Sequence, residues 1–289
     1  MPLAVLAVVG LVAAGVAYTT LAGGGGYYQA ATAQAPAELR AGAAPTPKRV
    51  LIFGDSIAAQ AGGAAEVALE EVGVEVRVVG LWGQGMFTRG QYDMGATNPD
   101  PPTGSVMAAA DEAVADFRPD VIAVSLNHNY WPPYPRDANG APIERGSDEF
   151  TVMARAQLTE LVRRLSVTEA DIYLVDPIPE GPDQGAADNP IWSAYLSVQD
   201  QLGFGVIRAG DAVAGPDGGR VEEMADCRGH DARVRPAEDI HLTYYGAGLV
   251  GTATARELAS LLGVSLGEGA IAAPSQAPAA ILPMGTGYR

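Results

Sequence analysis

From residue 49 to residue 263 short apolar runs alternate with longer amphipathic ones. RVLIF (49–53), VEVRVVGLW (74–82), VIAVSLN (121–127), DIYLVDPIP (171–179) and FGVIRAGD (204–211) are rich in β-branched residues. Each is short enough for a buried strand. Between them, AAQAGGAAEVALEEVG (58–73), GSVMAAADEAVADF (104–117), SDEFTVMARAQLTELVRRLS (147–166) and NPIWSAYLSVQDQLG (189–203) have helical composition, and HLTYYGAGLVGTATARELASLLG (241–263) closes the series as a loop and a helix. Ser105 stands where the second helix would be capped. Ser147 caps the third, with Asp148 and Glu149 putting negative charge in its first turn, and Asn189-Pro190 opens the fourth. Strand and helix in strict alternation predict an α/β domain with a central parallel sheet covered on both faces, three layers in all. Ligand sites in such sheets gather outside the carboxyl ends of the strands, so the residues that do chemistry should lie just after strands.

The flanks of this pattern differ from it. Residues 2–22, PLAVLAVVGLVAAGVAYTTLA, carry no charge, and the first charged side chain is Glu38. An uncharged apolar run of about 20 residues is long enough to span a bilayer and long for the core of a cleaved signal. Ala31-Thr32-Ala33 fits a small-x-small cleavage site but lies well past the run, and no Lys or Arg precedes it to set an orientation. GGGG (23–26) and AQAPAELRAGAAPTP (33–47) then read as a linker. The expected organisation is an anchor or signal segment over 1–24, a linker over 25–48, the α/β domain over 49–265 and a Pro/Ala-rich tail over 266–289. This puts the domain outside the cytoplasm, membrane-anchored through its N-terminal segment or secreted.

Composition narrows the partners. The net charge is −16, from 18 basic and 34 acidic residues. Such a surface repels phosphate backbones and anionic lipid, which argues against nucleic acid as a partner and against docking through a basic patch. The number of copies in the working protein is left open. The one cysteine, Cys227, permits no intrachain disulfide and no Cys-rich zinc site. Cys227, His230 and His241 lack a recognised zinc spacing, and GDSIAAQAGG lacks the Gly-Lys-Ser/Thr of a phosphate loop.

The three histidines are His128, His230 and His241. His128 follows the third strand in SLNHNYW, and His241 follows an acidic pair in AEDIHLTYYG before the last helix, both where the sheet rule asks for chemistry. His230 lies in the polar loop ADCRGHDAR, where a surface role suffices. Ser56 follows the first strand in RVLIFGDSIAAQ and opens the first helix. Alone, Gly-Asp-Ser is also a turn and a helix cap. A serine becomes a nucleophile only with a base in hydrogen-bond reach and donors for the oxyanion.

Taken together these blocks resemble the SGNH/GDSL hydrolases over residues 49–263. GDS at 54–56 resembles the block that carries the family's nucleophile, and HLTYYG at 241–246 the block that carries its histidine. LWGQG supplies Gly83 and Gly85, of which Gly85 aligns better with the family's glycine, and SLNHNY places Asn129 at the family's asparagine, with Asn127 as the alternative. The family's acid stands three residues before the histidine. Here that position is Glu238, with Asp239 one closer, and either could serve.

The resemblance implies a flavodoxin-like α/β/α sandwich and a serine esterase that needs no cofactor and no metal. Ser56 would attack an ester, His241 would carry the proton, and Glu238 or Asp239 would orient the imidazole. The N–H groups of Ser56 and Gly85 and the Asn129 amide would hold the oxyanion. His128, Tyr130 and Trp131, in the aromatic and Pro-rich stretch NHNYWPPYP, are candidates for binding substrate, with a rigid loop packed on its own domain as the alternative. With an extracytoplasmic tether, an O-acylated carbohydrate or cell-envelope polymer is the natural ester. Two alternatives stand beside hydrolysis: O-acyl transfer with the same triad, and a non-catalytic binding domain of the same fold.

Overall fold

The computed structural model describes residues 47–81, 85–86, 105–127, 137, 139–181, 185–236 and 239–267. Five parallel strands, β1 (Arg49–Gly54), β2 (Glu75–Gly80), β3 (Val121–Ser125), β4 (Asp171–Val175) and β5 (Gly205–Ile207), form one sheet in the order β2-β1-β3-β4-β5. The helices are α1 (Ser56–Glu70), α2 (Ser105–Phe117), α3 (Asp148–Leu165), α4 (Pro190–Leu196), α5 (Gln199–Leu202) and α6 (Tyr244–Leu262).

Side chains alternate across the strands, and both faces are apolar. Leu51, Phe53, Ile122, Val124, Ile172 and Leu174 pack with α2, α3 and α4, while Val50, Ile52, Val121, Ala123 and Val175 pack with α1 and α6. Burial on both sides explains why these strands read as unbroken hydrophobic runs. The α/β three-layer architecture and the flavodoxin-like strand order are therefore those expected. β1 leads on to β2 at one side and β3 leads on to β4 at the other, so the chain reverses its direction of winding between β1 and β3. In such sheets ligands bind beyond the carboxyl ends of the strands at that switch point, and here Ser56 and Asn127 follow those two ends.

Several boundaries differ from expectation for local reasons. The fourth strand stops at Val175 rather than 179. Pro177 and Pro179 lack the N–H that a ladder needs. The helix expected over 189–203 is two pieces. Ser197 turns its hydroxyl onto the Ala194 carbonyl at 2.6 Å, and Val198 N–H bonds Tyr195 O in a tightened turn. The fifth strand shrinks to Gly205–Ile207 because the chain coils into a 3-10 turn at Gly210–Val213. A hairpin of β6 (Glu223–Ala225) and β7 (Asp231–Arg233) was not expected. Asp226 closes it by accepting from Arg228 N and His230 N, with Gly229 at φ 78°.

The expected caps fare unequally. Ser147 accepts from Phe150 N and Asn189 from Ile191 N and Trp192 N. Ser105 is itself the first residue of α2. The anchor over 1–24, nearly all of the linker and nearly all of the tail lie outside the described residues. Among the described residues no helix is long and apolar enough to cross a membrane.

Candidate active site

The site begins at an abrupt turn between β1 and α1. Gly54 lies so close to β3 that a Cβ would fall 1.9 Å from Ser125 O. Only glycine allows that approach, and it lets Asp55 N–H donate to Ser125 O at 2.9 Å, carrying the β1–β3 pairing one residue further. Asp55, extended at φ −86° and ψ −157°, caps α1 by accepting from Ile57 N at 2.9 Å. The capping role thus falls to Asp55 and not to Ser56, and the Ser56 hydroxyl is left for another partner.

That partner is His241, whose Nε2 lies 3.0 Å from Ser56 Oγ across 185 residues of sequence. Its Nδ1 lies 2.7 Å from Asp239 Oδ1. The same carboxylate oxygen accepts the His241 backbone N–H at 3.0 Å, an Asx turn in which the aspartate reaches two residues ahead. This explains how an acid two residues before the histidine, rather than three, meets the ring. Burial raises the Asp239 carboxyl, but the His241 backbone N–H, the charge of His241 and its ring N–H together outweigh burial and hold it below the usual carboxylate range. With Asp239 ionised, the histidine tautomer that satisfies both contacts carries its proton on Nδ1 and turns the Nε2 lone pair to Ser56.

The HLTYYG block owes its residues to this placement. Leu242 is fully buried in the core between the sheet, α1 and α6. Thr243 caps α6 by accepting from Gly246 N at 3.2 Å, and its hydroxyl donates to Arg233 O at 2.6 Å. Gly246 sits where a Cβ would fall 2.1 Å from Val234 O, so the first turn of α6 rests directly on the chain leaving β7.

Gln60 completes the hold on this segment. It stands one turn beyond Ser56 on α1, and its side chain is 4% exposed. Its Nε2 donates to Leu242 O at 3.0 Å and its Oε1 accepts from Leu242 N at 3.0 Å. One helix therefore carries Ser56 and grips the backbone beside His241. Nothing in the sequence singles out Gln60, because its partners are backbone atoms 182 residues away.

Beyond β3, Asn127 is 1% exposed. Its side-chain amide donates to Val175 O at 2.7 Å, and its backbone carbonyl accepts from Asn189 Nδ2 at 3.2 Å. The alternative oxyanion donor is thus engaged in holding the ends of β3 and β4 together. Asp176, directly after β4, is a second buried residue that the sequence did not single out. Its Oδ1 accepts from Ala209 N and Gly210 N, both at 2.7 Å. Burial pushes its carboxyl above the usual range, the two N–H bonds notwithstanding.

Of the remaining candidates, Gly85 is half-buried beside the buried Met86. Glu238, His128, Asn129, Tyr130 and Trp131 lie outside the described residues. His230 is an exposed partner of Asp226, and Cys227 is exposed. Among the described residues no group of three or more His, Cys, Asp or Glu side chains is placed to hold a metal ion.

No curated protein matches the chain. Among solved structures it is similar to a lipopolysaccharide acetyltransferase periplasmic domain from Salmonella ser. Paratyphi A, at 14% identity and a TM-score of 0.49, covering 74% of this chain and 84% of that one. It is similar to the psychrotrophic esterase EstA from Pseudoalteromonas sp., at 13% identity and a TM-score of 0.48, covering 75% and 99%. An acetylxylan esterase from Geobacillus stearothermophilus matches at 17% identity and a TM-score of 0.44, covering 75% and 95%. The model of a protein family described as the SGNH domain, fused to AT3 domains, matches residues 26–203, a span that includes Ser56 and ends before His241. The chain belongs to this SGNH family.

Proposed function

We propose that the protein is a serine esterase that cleaves an O-acyl ester through an acyl-enzyme on Ser56. The supporting observation is the continuous relay from Ser56 Oγ through His241 to Asp239, at 3.0 and 2.7 Å. Ser56 Oγ attacks the ester carbonyl carbon while His241 Nε2 takes the hydroxyl proton. The tetrahedral intermediate collapses, the acyl–oxygen bond breaks, and His241 returns the proton to the leaving alcohol. Water then enters, gives a proton to His241 and attacks the acyl carbon. Ser56 leaves with that proton as the acid departs. Asp239 keeps the proton of the neutral ring on Nδ1 and stabilises the imidazolium formed in each half. The N–H groups of Ser56 and Gly85 with the Asn129 amide are the proposed oxyanion donors, each worth about 3 kcal/mol of barrier.

The proposed substrate is an acylated carbohydrate or cell-envelope polymer, with His128, Tyr130 and Trp131 beside the scissile ester. The uncharged run at 2–22 supports an extracytoplasmic place, anchored or secreted. Full-length protein fractionating with membranes is the expected result for an anchor, and its recovery in the soluble fraction would remove that part. The same relay serves O-acyl transfer to a sugar hydroxyl. The matched family's description as a domain fused to AT3 domains keeps that second reading.

Hydrolysis of p-nitrophenyl acetate and of acetylated xylan by wild type and Ser56→Ala tests the proposal. A fall of about 10³-fold or more is expected. Equal rates on every short-chain ester would leave the binding-domain alternative standing. A sugar acceptor that diverts the acetyl group from water into an O-acetylated sugar would favour the transferase reading.

A further inference from the structure

The relay depends on the stretch Asp239–Leu242, which must hold Asp239 and His241 in one arrangement. Gln60 fixes its far end through Leu242. The near end is fixed from a different part of the chain. Arg220 Nη2 donates to Pro236 O at 2.7 Å and to Asp239 O at 2.9 Å. Both bonds come from one nitrogen, so the two carbonyls converge on a single point.

Arg220 is itself well placed. Its N–H donates to Gly181 O at 2.7 Å, just beyond β4, and it pairs with Ala214 in an isolated antiparallel bridge. It therefore ties the segment to the stretches that follow β4 and β5. Val234 N–H, returning from the β6–β7 hairpin, donates to Glu222 O at 2.7 Å, two residues after Arg220.

A second guanidinium lies close by. Arg235 is 1% exposed and donates through Nη1 to Pro179 O. Burial, and then the charge of Arg220, push Arg235 down to about 10, against the opposing pull of Glu180. Arg220 bonds the carbonyls of Pro236 and Asp239, and Arg235 bonds one carbonyl, Pro179 O, after β4.

We propose that Arg220 is a positioning residue for the ester reaction. It acts through Asp239 by fixing the carbonyls of Pro236 and Asp239, so that the Asp239 carboxylate meets His241 Nδ1 without rearrangement. This rests on the esterase reading above, and its test separates the two. A displacement of about 1 Å in such a relay costs on the order of 10²-fold. Arg220→Ala should therefore lower kcat about 10- to 100-fold while KM stays within about 2-fold. Because one nitrogen makes both bonds, Arg220→Lys should recover most of the loss, and Arg220→Gln should recover little. Thermal unfolding of each variant shows which retain the fold, and Arg220→Gln stands in if Arg220→Ala does not.

Two readouts go beyond a general structural role. In an Asp239→Ala background, adding Arg220→Ala should change kcat less than about 2-fold, since residues acting through one another are not additive. The strongly downfield proton resonance of the His241–Asp239 hydrogen bond should be present in wild type, absent in Arg220→Ala and restored in Arg220→Lys. A folded Arg220→Ala that keeps both the resonance and kcat overturns the proposal. So does the same loss with and without Asp239. Loss of the resonance in Arg220→Ala with its return in Arg220→Lys, in a protein that turns over no ester, supports the positioning role and removes the esterase reading.

Discussion

Replacing Gln60 by Met removes two buried hydrogen bonds while nearly conserving side-chain volume. Gln60 is 4% exposed, and its amide satisfies the N–H and the C=O of Leu242, both at 3.0 Å in the interior. A buried polar group that loses its partner costs about 1–3 kcal/mol, so two together should cost about 2–6 kcal/mol, less a small gain from burying the more apolar Met. With a urea slope of about 2–3 kcal/mol/M for a domain of this size, the unfolding midpoint should fall by about 0.7–3 M. The Leu242 backbone adjoins His241, so the same change should lower kcat about 10- to 100-fold. Gln60→Glu, measured between pH 4 and 8, is the companion: it keeps the acceptor and, once ionised, loses the donor. A midpoint shift in Gln60→Met smaller than about 0.3 M, with kcat unchanged, would refute the idea that Gln60 clamps the histidine segment.

Other outcomes follow from single positions. Gly54→Ala should abolish or severely reduce folded, active protein in a thermal-unfolding and ester-hydrolysis comparison, because its Cβ would fall 1.9 Å from Ser125 O. A folded variant of unchanged activity would contradict that packing. Asp239 and Asp176, shifted in opposite directions, should give opposite pH slopes. Asp239 is held below its ordinary value, so its stabilising contribution is complete above about pH 4 and lost as pH falls through the lowered value. Asp176 is raised by burial, so the folded state holds its proton longer and stability falls as pH climbs from about 4 to the raised value. Asp176→Asn keeps an oxygen for Ala209 and Gly210 and should remove that fall, which urea midpoints across pH 4–8 will show. An unchanged slope would mean that Asp176 is ionised in the fold without penalty.

The layers of the fold were legible because the central strands β1 and β3 are buried on both faces and so leave unbroken apolar runs. The ends of elements were less so. The end of β4 depends on prolines at 177 and 179, and the break between α4 and α5 on a serine hydroxyl competing for a helical carbonyl. At the site, Gly-Asp-Ser and His-Leu-Thr could be found because several jobs are packed into adjacent residues. Gly54 permits close approach and Asp55 caps, while Leu242 anchors and Thr243 caps. The choice between Glu238 and Asp239 turns on the bend of the chain, which composition does not specify. In the structure an Asx turn brings Asp239 to His241 Nδ1. Gln60, Asp176 and Arg220 were invisible for one shared reason. Their partners are main-chain atoms far away in sequence, and a side chain leaves no motif when it binds a carbonyl or an N–H of any residue type.

The central claim is that Ser56 is an activated nucleophile. Incubating the protein with a fluorophosphonate and mapping the adduct by peptide mass spectrometry tests it most directly. The relay of 3.0 and 2.7 Å predicts one stoichiometric phosphonyl adduct on Ser56, formed at least about 10²-fold more slowly when His241 is replaced by Ala. No adduct on Ser56, or an adduct that forms equally fast without His241, would contradict it.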